Sequence, residues 1–245
     1  MKPVLFELGP LTVYSWGFAY VLAFLVAGYL AYQRAQRTGI NPDAVLDLVL
    51  LISLAALLGS RVLYVALDWK YYQQTPWQVL AIWEGGLSFY GGLIAGILAG
   101  WGYAAYRRLP FTRLADLVAP LIAMGYAIVR VGCFLNGCCY GHPTDLPIGV
   151  NFFDVPRHPT QLYAAAAGLV IYFVLVRLER NKPYHGYIFL MFLGLYSLYR
   201  FLIEFWREAV VVRPPFTLTQ VFAFGGMVSA FGLAWWLGRM QGRRG

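Results

Sequence analysis

The chain's 245 residues are 60% hydrophobic and only 12% charged, against about 25% charged in ordinary soluble domains. That balance excludes a soluble globular domain, and the length supplies roughly six to eight spans of about 20 residues for a hydrocarbon core about 30 Å thick. The net charge of +8 lies in short clusters between apolar runs, a pattern that sets membrane orientation and argues against a nucleic-acid binder.

Seven apolar runs follow in chain order, at about 11–33, 44–67, 87–106, 114–135, 159–178, 185–206 and 217–238, and each predicts a membrane helix. The expected fold is an all-α integral membrane protein with about seven transmembrane helices, a single polytopic domain over 1–245. The first run is too long for a signal-peptide core and equally apolar runs recur to the end, so a secreted soluble protein is excluded. Residues 68–84 are amphipathic and aromatic and predict a loop or interfacial helix. Gly92, Gly96 and Gly100 fall on one face of the third run, where small residues let helix backbones approach closely. Packing within the chain is the preferred reading of that face over a dimer contact. Residues 136–158 are rich in Gly, Pro, Asp and His and predict an extracytoplasmic loop, outside the membrane or folded back on the bundle.

Alternate loops differ in charge. One set carries Arg34, Arg37, Arg107, Arg108, Arg113, Arg177, Arg180, Lys182, Arg239, Arg243 and Arg244, 11 of the 19 basic residues. The other carries Lys2, Lys70, Arg157, Arg207 and Arg213. Positive-inside bias therefore predicts an N-terminus outside and a C-terminus in the cytoplasm. Arg61, Arg130 and Arg200 remain, within spans, where an ionisable side chain is a functional hypothesis by default. On this orientation all three lie towards the outer ends of their spans, with Glu204 one turn beyond Arg200. Tyr90, His142, Arg157 and His158 fall in the same layer.

The bland alternatives are specific. Arg61 near a span end can snorkel to the headgroups, and Arg200 with Glu204 can be a simple i,i+4 pair. Arg130 resists such a reading, because Gly132, Asn136, Gly137 and Gly141 follow it and predict a helix that opens directly after a buried cation. A guanidinium in that setting suits a phosphate, which it binds bidentately. Cys133, Cys138 and Cys139 lie on the same side. Their spacing is not CxxC and only His142 is near, so zinc is a weak reading. A bridge from Cys133 to one of the pair, three inert thiols, or a thiolate favoured by Arg130 stay open.

Several blocks stand in order along the chain: Gly9-Pro10, Gly59-Ser60-Arg61, Glu84-Gly-Gly-Leu-Ser-Phe-Tyr90-Gly-Gly92 and Arg130-Val-Gly-Cys-Phe-Leu-Asn-Gly-Cys-Cys-Tyr-Gly141. Arg157-His-Pro-Thr-Gln-Leu-Tyr163 and Tyr199-Arg-Phe-Leu-Ile-Glu-Phe-Trp-Arg207 complete the series. Together they resemble the bacterial prolipoprotein diacylglyceryl transferases over nearly the whole chain. The resemblance implies an enzyme of the bacterial inner membrane with its active site facing the outer leaflet. Such an enzyme moves diacylglycerol from phosphatidylglycerol to the lipobox cysteine thiol in the signal peptide of a prolipoprotein and releases glycerol 1-phosphate. No metal or cofactor is implied.

On that pattern Arg130, Arg200, Glu204 and Tyr90 are the catalytic candidates, with the two arginines on the phosphate and Glu204 orienting Arg200. Arg61, Asn136, Gly141, His158, Gln161 and Trp16 are the substrate-binding candidates. The sequence departs from the pattern at named positions. Tyr90 stands where the family has a histidine, Trp16 where it has a tyrosine, Cys133 for an asparagine, Cys138 for a glutamate and Ala164 for an acid. A phenol with a reference pKa near 10 is a poor base at neutral pH, so substrate phosphate, His158 or a thiolate are left to take the thiol proton. Three further readings compete: a related transferase with another acceptor working through an enzyme thiol, a non-enzymatic phospholipid-binding or flipping protein, and a quinone-linked thiol oxidoreductase. Polar groups through the full membrane depth and repeat symmetry would favour the flipping protein, and the sequence shows neither.

Overall fold

A computed structural model describes residues 2–8, 11–82, 85–207 and 216–242. Gly9-Pro10, Glu84, Arg213, Arg243 and Arg244 of the sequence reading lie outside the described residues. The chain opens with strands β1 (Val4–Leu8) and β2 (Leu11–Tyr14), then helices α1 (Ser15–Thr38), α2 (Pro42–Leu67) and the short α3 (Trp69–Tyr72). There follow α4 (Phe89–Tyr106), α5 (Phe111–Asn136), strands β3 (Val150–Phe152) and β4 (Val155–Arg157), α6 (Thr160–Glu179), α7 (Tyr187–Ile203) and α8 (Leu218–Gly242). Among the described residues six helices are long and apolar enough to cross a membrane: α1, α2, α5, α6, α7 extended to Trp206, and α8. The third expected run forms α4, a continuous 18-residue helix whose apolar content is diluted by glycine and tyrosine, and it is not one of the six. The protein is a helical, multi-pass membrane protein.

Three boundaries differ from the sequence reading for identifiable reasons. The run expected from residue 11 becomes helical only at Ser15, because Thr12 and Val13 pair with Glu7 and Phe6 in an antiparallel hairpin. Ser15 then sends both its amide (2.8 Å) and its hydroxyl (3.1 Å) to the Pro3 carbonyl. The expected loop 136–158 contains a second hairpin, in which Val150 faces Arg157 and Phe152 faces Val155. Finally, α5 does not open directly after Arg130. It continues to Asn136, because Gly132 serves as a close-approach point where a Cβ would overlap Ala19 of α1. The chain turns only at Gly137, with φ +75°, a conformation natural to glycine.

The chain divides into two compact units, Met1–Leu30 with Ala115–Gly245, and Ala31–Leu114. In the second unit Asn41 caps α2 by accepting from Asp43 N at 2.9 Å, with Pro42 in the first turn, where its missing N–H costs nothing. The glycine face of α4 packs on α2: Cβ atoms at Gly92 and Gly100 would stand 3.0 Å from Ala56 O and 3.3 Å from Ile52 Cδ1. Gly59 meets Gly91 and Ala95 more tightly still. That stripe is therefore an intramolecular seam.

The first unit is built around Ala119, Ala123, Ile171, Leu175, Ile188 and Phe192 from α5, α6 and α7. A fully buried carboxylate pins one end. Asp116 Oδ2 accepts from Lys182 Nζ (3.1 Å) and Gly186 N (2.9 Å), and Oδ1 accepts from Phe189 N (3.1 Å). It thereby satisfies amides at the start of α7 that have no partner within the helix. Outward-facing Val170, Phe173 and Phe222 stay exposed, which suits a hydrocarbon surround rather than water.

Candidate active site

The other end of the first unit collects the polar groups. On α5, Tyr126, Arg130 and Cys133 recur at helical spacing and share one face. The Arg130 guanidinium carbon sits 4.8 Å above the Tyr126 ring, a cation–π contact that holds the charge without neutralising it. The Tyr126 and Tyr199 hydroxyls are 3.0 Å apart, and the ring of Tyr196 meets that of Tyr126 edge-on at 5.5 Å. Arg130 and Arg200 both act electrostatically on Tyr196 and Tyr199. The two arginines therefore flank one cluster of three phenols.

Glu204 follows α7 in a tight turn and is buried. Its Oε2 lies 3.4 Å from Arg200 Nη2, and its Oε1 accepts from Thr217 Oγ1 at 3.4 Å. Thr217 and Gln220 cap α8 reciprocally, Thr217 N donating to Gln220 Oε1 (3.0 Å) and Gln220 N to Thr217 Oγ1 (3.2 Å), a capping box. The carboxylate is thus tied to a rigid helix start. Arg130 has no carboxylate partner among the described residues.

Residues 137–161 close the site from the side. Gly141 N donates to His158 O (2.9 Å), His142 N to Trp206 O (2.9 Å) and His158 N to His142 O (3.0 Å). This joins the loop to the ends of both α6 and α7. Gly141 is the point of closest approach, since a Cβ there would collide with the Trp206 carbonyl and with Thr160. From the first turn of α6, Gln161 Nε2 donates to Cys138 O (2.6 Å) and Thr160 Oγ1 to Cys139 O (2.8 Å). The Gln161 Oε1 atom is buried with no hydrogen-bond partner among the described residues. His158 is buried beside Tyr163, with Nδ1 3.2 Å from its hydroxyl. Asn136 is the last residue of α5 and lies beside the Cys138 thiol, which donates to Cys133 O at 3.7 Å.

The three cysteine sulfurs lie within 4.8 Å of one another, and all three are free thiols. The Cys133 thiol beside it draws the Cys139 thiol well down, to about 5, with the Cys138 thiol, Arg130 and Arg207 adding to the effect against burial. Burial pushes Cys138 the other way. Trp16, in the first turn of α1, is exposed, its ring tilted against that of Tyr20 with centroids 4.5 Å apart, and its Cα lies close to Gly132 of α5.

Two sequence candidates belong to the other unit. Tyr90 is the second residue of α4, exposed and edge-on to Phe89. Arg61 is spent on backbone: Nε donates to Val79 O (2.9 Å), Nη1 to Gly85 O (2.7 Å) and Gly86 O (3.0 Å), and Nη2 to Gln78 O and Ala81 O. That guanidinium braces the connection between α2 and α4. The snorkelling alternative for Arg61 is thereby replaced by an internal bracket.

Comparison with known proteins decides the family. The family model for prolipoprotein diacylglyceryl transferase matches residues 3–236. The chain belongs to the prolipoprotein diacylglyceryl transferase family. The phosphatidylglycerol–prolipoprotein diacylglyceryl transferase of Geobacter sulfurreducens is 37% identical over 235 residues, 91% of this chain and 90% of the relative. The relative of the same name from Pasteurella multocida is 40% identical over 214 residues, covering 84% and 79%. That from Clostridioides difficile is 33% identical over 228 residues, covering 93% and 92%.

Within this transferase-family chain, some site residues escaped the sequence reading. Tyr126 precedes Arg130 by one helical turn, and Tyr196 precedes Arg200 by one, so both i,i+4 spacings were visible. Their convergence across two helices was not. The Thr217-Leu-Thr-Gln220 capping box was legible as a helix start, but its tie to Glu204 is tertiary. Ala164, in place of an acid, is fully packed in α6.

Proposed function

We propose that this protein is a phosphatidylglycerol–prolipoprotein diacylglyceryl transferase. It would transfer diacylglycerol to the lipobox cysteine of a prolipoprotein signal peptide. The observation that carries the proposal is uncompensated charge. Arg130, Arg200 and Arg207 bring three positive charges against two negative ones among the described residues, Glu204 paired with Arg200 and the Cys139 thiolate within electrostatic reach of Arg130 and Arg207. A part-buried guanidinium without an anion is costly, and a phosphate diester completes the balance.

In this reaction the acceptor thiol gives its proton to a base. Its sulfur forms a bond to the glyceryl carbon that carries the phosphate, and the C–O bond breaks with its electron pair going to the phosphate oxygen. Glycerol 1-phosphate leaves. Charge grows on the phosphate as the bond breaks, so guanidiniums fixed in advance lower the barrier, and Glu204 keeps Arg200 aimed. The unpartnered Gln161 Oε1 offers an acceptor for a headgroup hydroxyl. Asn136, Gly141 and Trp16 shape the binding face. His158 and the lipid phosphate are the groups proposed for the thiol proton. Tyr90 occupies the family's histidine position and offers a hydroxyl that can donate a hydrogen bond. Arg61 supports the chain rather than gripping substrate.

The proposal includes seven spans with α4 as the third, an outside N-terminus, a cytoplasmic C-terminus and a site open to the outer leaflet of the bacterial inner membrane. No cofactor takes part. The test is transfer in proteoliposomes containing acyl-labelled phosphatidylglycerol, with a peptide carrying a lipobox cysteine. Label on the peptide, absent when its cysteine is serine or when Arg130 is alanine, is the expected result. No label with wild-type protein, alongside transfer by the Geobacter relative in the same vesicles, would overturn the proposal.

A further inference from the structure

The transferase reaction leaves one feature of the site without employment. The nucleophile is the incoming thiol and the phosphate is held by arginines, yet three cysteine side chains of this chain converge. Cys133 lies in the last turn of α5, and Cys138 and Cys139 in the turn that follows. Their sulfurs all fall within 4.8 Å of one another. Neighbouring residues in extended chain point to opposite faces, so bringing Cys138 and Cys139 to one point requires a special backbone. It is provided by two left-handed residues, Gly137 at φ +75° and Cys139 at φ +63°. A non-glycine residue takes up that conformation only at a cost in backbone strain.

The turn is also braced from both sides. Cys138 N donates to Cys133 O at 3.2 Å, and Gln161 and Thr160 hold the Cys138 and Cys139 carbonyls. Such support outside the ligand atoms is what fixes a ligand set in place. A disulfide would use two of the three sulfurs and leave the third unpaired. A metal ion uses all three. With Zn–S bonds of about 2.3 Å, tetrahedral geometry sets the sulfurs about 3.8 Å apart, reachable from the observed cluster by small side-chain rotations. Burial is graded from Cys133 (buried) through Cys138 to Cys139 (exposed), so the fourth position would face outward, where water can enter.

We propose that Cys133, Cys138 and Cys139 form a three-thiolate site for a thiophilic d10 cation, Zn2+ being the representative, which staples the turn between α5 and α6. Binding replaces the thiol protons by three metal–sulfur bonds, with no change of oxidation state. The three thiolates and the dication leave one net negative charge, and Arg130 and Arg207 lie within electrostatic reach of Cys139 to meet it. Thiolate sulfur selects zinc over the oxygen-seeking magnesium and calcium ions.

The experiment uses the full-length protein in detergent, reduced, stripped of metal and titrated with Cd2+ alone and with Zn2+ alone. The expected result is one equivalent per chain, with the ultraviolet thiolate-to-metal charge-transfer band in the cadmium form. Each of Cys133→Ser, Cys138→Ser and Cys139→Ser should weaken binding by at least about 100-fold, while His142→Ala should not. In case a serine variant folds poorly, Zn2+ should also protect all three thiols of the wild-type protein from maleimide. Unprotected thiols, a charge-transfer band that survives the triple serine variant, or a wild-type disulfide by mass after non-reducing purification would each overturn the proposal. These readouts are independent of lipid transfer, so failure of the metal site and failure of the transferase reading are distinguishable.

Discussion

Replacing Glu204 by glutamine isolates what its charge does for Arg200. The carboxylate is buried, 3.4 Å from Arg200 Nη2. At that separation the gross attraction is about 5 kcal/mol for an effective dielectric of about 20, most of which offsets the desolvation of both groups. Glutamine keeps the shape and can still accept from Thr217, so the fold should survive. What is lost is the charge assistance that aims the guanidinium, worth about 1.4–2.7 kcal/mol, or about 10- to 100-fold in kcat. KM for phosphatidylglycerol should hold or fall, because the site becomes more positive for an anionic lipid. The assay is initial-rate transfer to a lipobox peptide across lipid concentrations, with Thr217→Val as the comparison. That variant loses a helix cap, about 1 kcal/mol of stability, but should keep kcat within about threefold. Wild-type kcat for Glu204→Gln, in a preparation where Arg200→Ala is inactive, would refute the positioning role.

Three further outcomes follow from the geometry. Asp116→Ala strands two amides of α7 and the Lys182 ammonium. It should cost about 3–5 kcal/mol and lower the midpoint of thermal unfolding by about 6–20 °C; a shift below about 2 °C would contradict the assignment. Gly141→Ala drives a methyl into the Trp206 carbonyl and should abolish the monodisperse peak on size exclusion, whereas Gly17→Ala, with open space around it, should leave the peak intact. For Cys139, held near 5, the thiolate exists above that value. Its alkylation in metal-free protein should therefore be nearly flat from pH 7 to 9, while an ordinary thiol near 8.5 gains roughly tenfold per unit below its pKa. A steep rise over that range would count against the lowered value.

The spans were legible because apolar length is dictated by the membrane and needs no partner to be read. The glycine face at Gly92, Gly96 and Gly100 was legible for the same reason, since spacing alone marks a seam. Boundaries were not: whether Leu11–Tyr14 starts a helix or pairs with Val4–Leu8 depends on a strand that exists only in the folded chain. Gly132 read as a breaker, yet it is a contact point for Ala19, and a single sequence does not distinguish the two uses of glycine. Arg61 read as a ligand because a charge within a span invites that reading; the carbonyls that occupy it come from residues 78–86, whose convergence is tertiary. Arg130, Arg200 and Glu204 were readable as a group through motif and spacing, while the tyrosines that join the arginines belong to two helices and become a cluster only on packing.

The most direct measurement of the central claim is rescue in a bacterium whose own diacylglyceryl transferase can be shut off. Growth and a diacylglyceryl-modified lipoprotein, verified by mass, are expected with the wild-type chain. Both should be lost with Arg130→Ala present at the same level in the membrane. Absence of rescue by the wild-type chain at that level, or equal rescue by Arg130→Ala, would contradict the account.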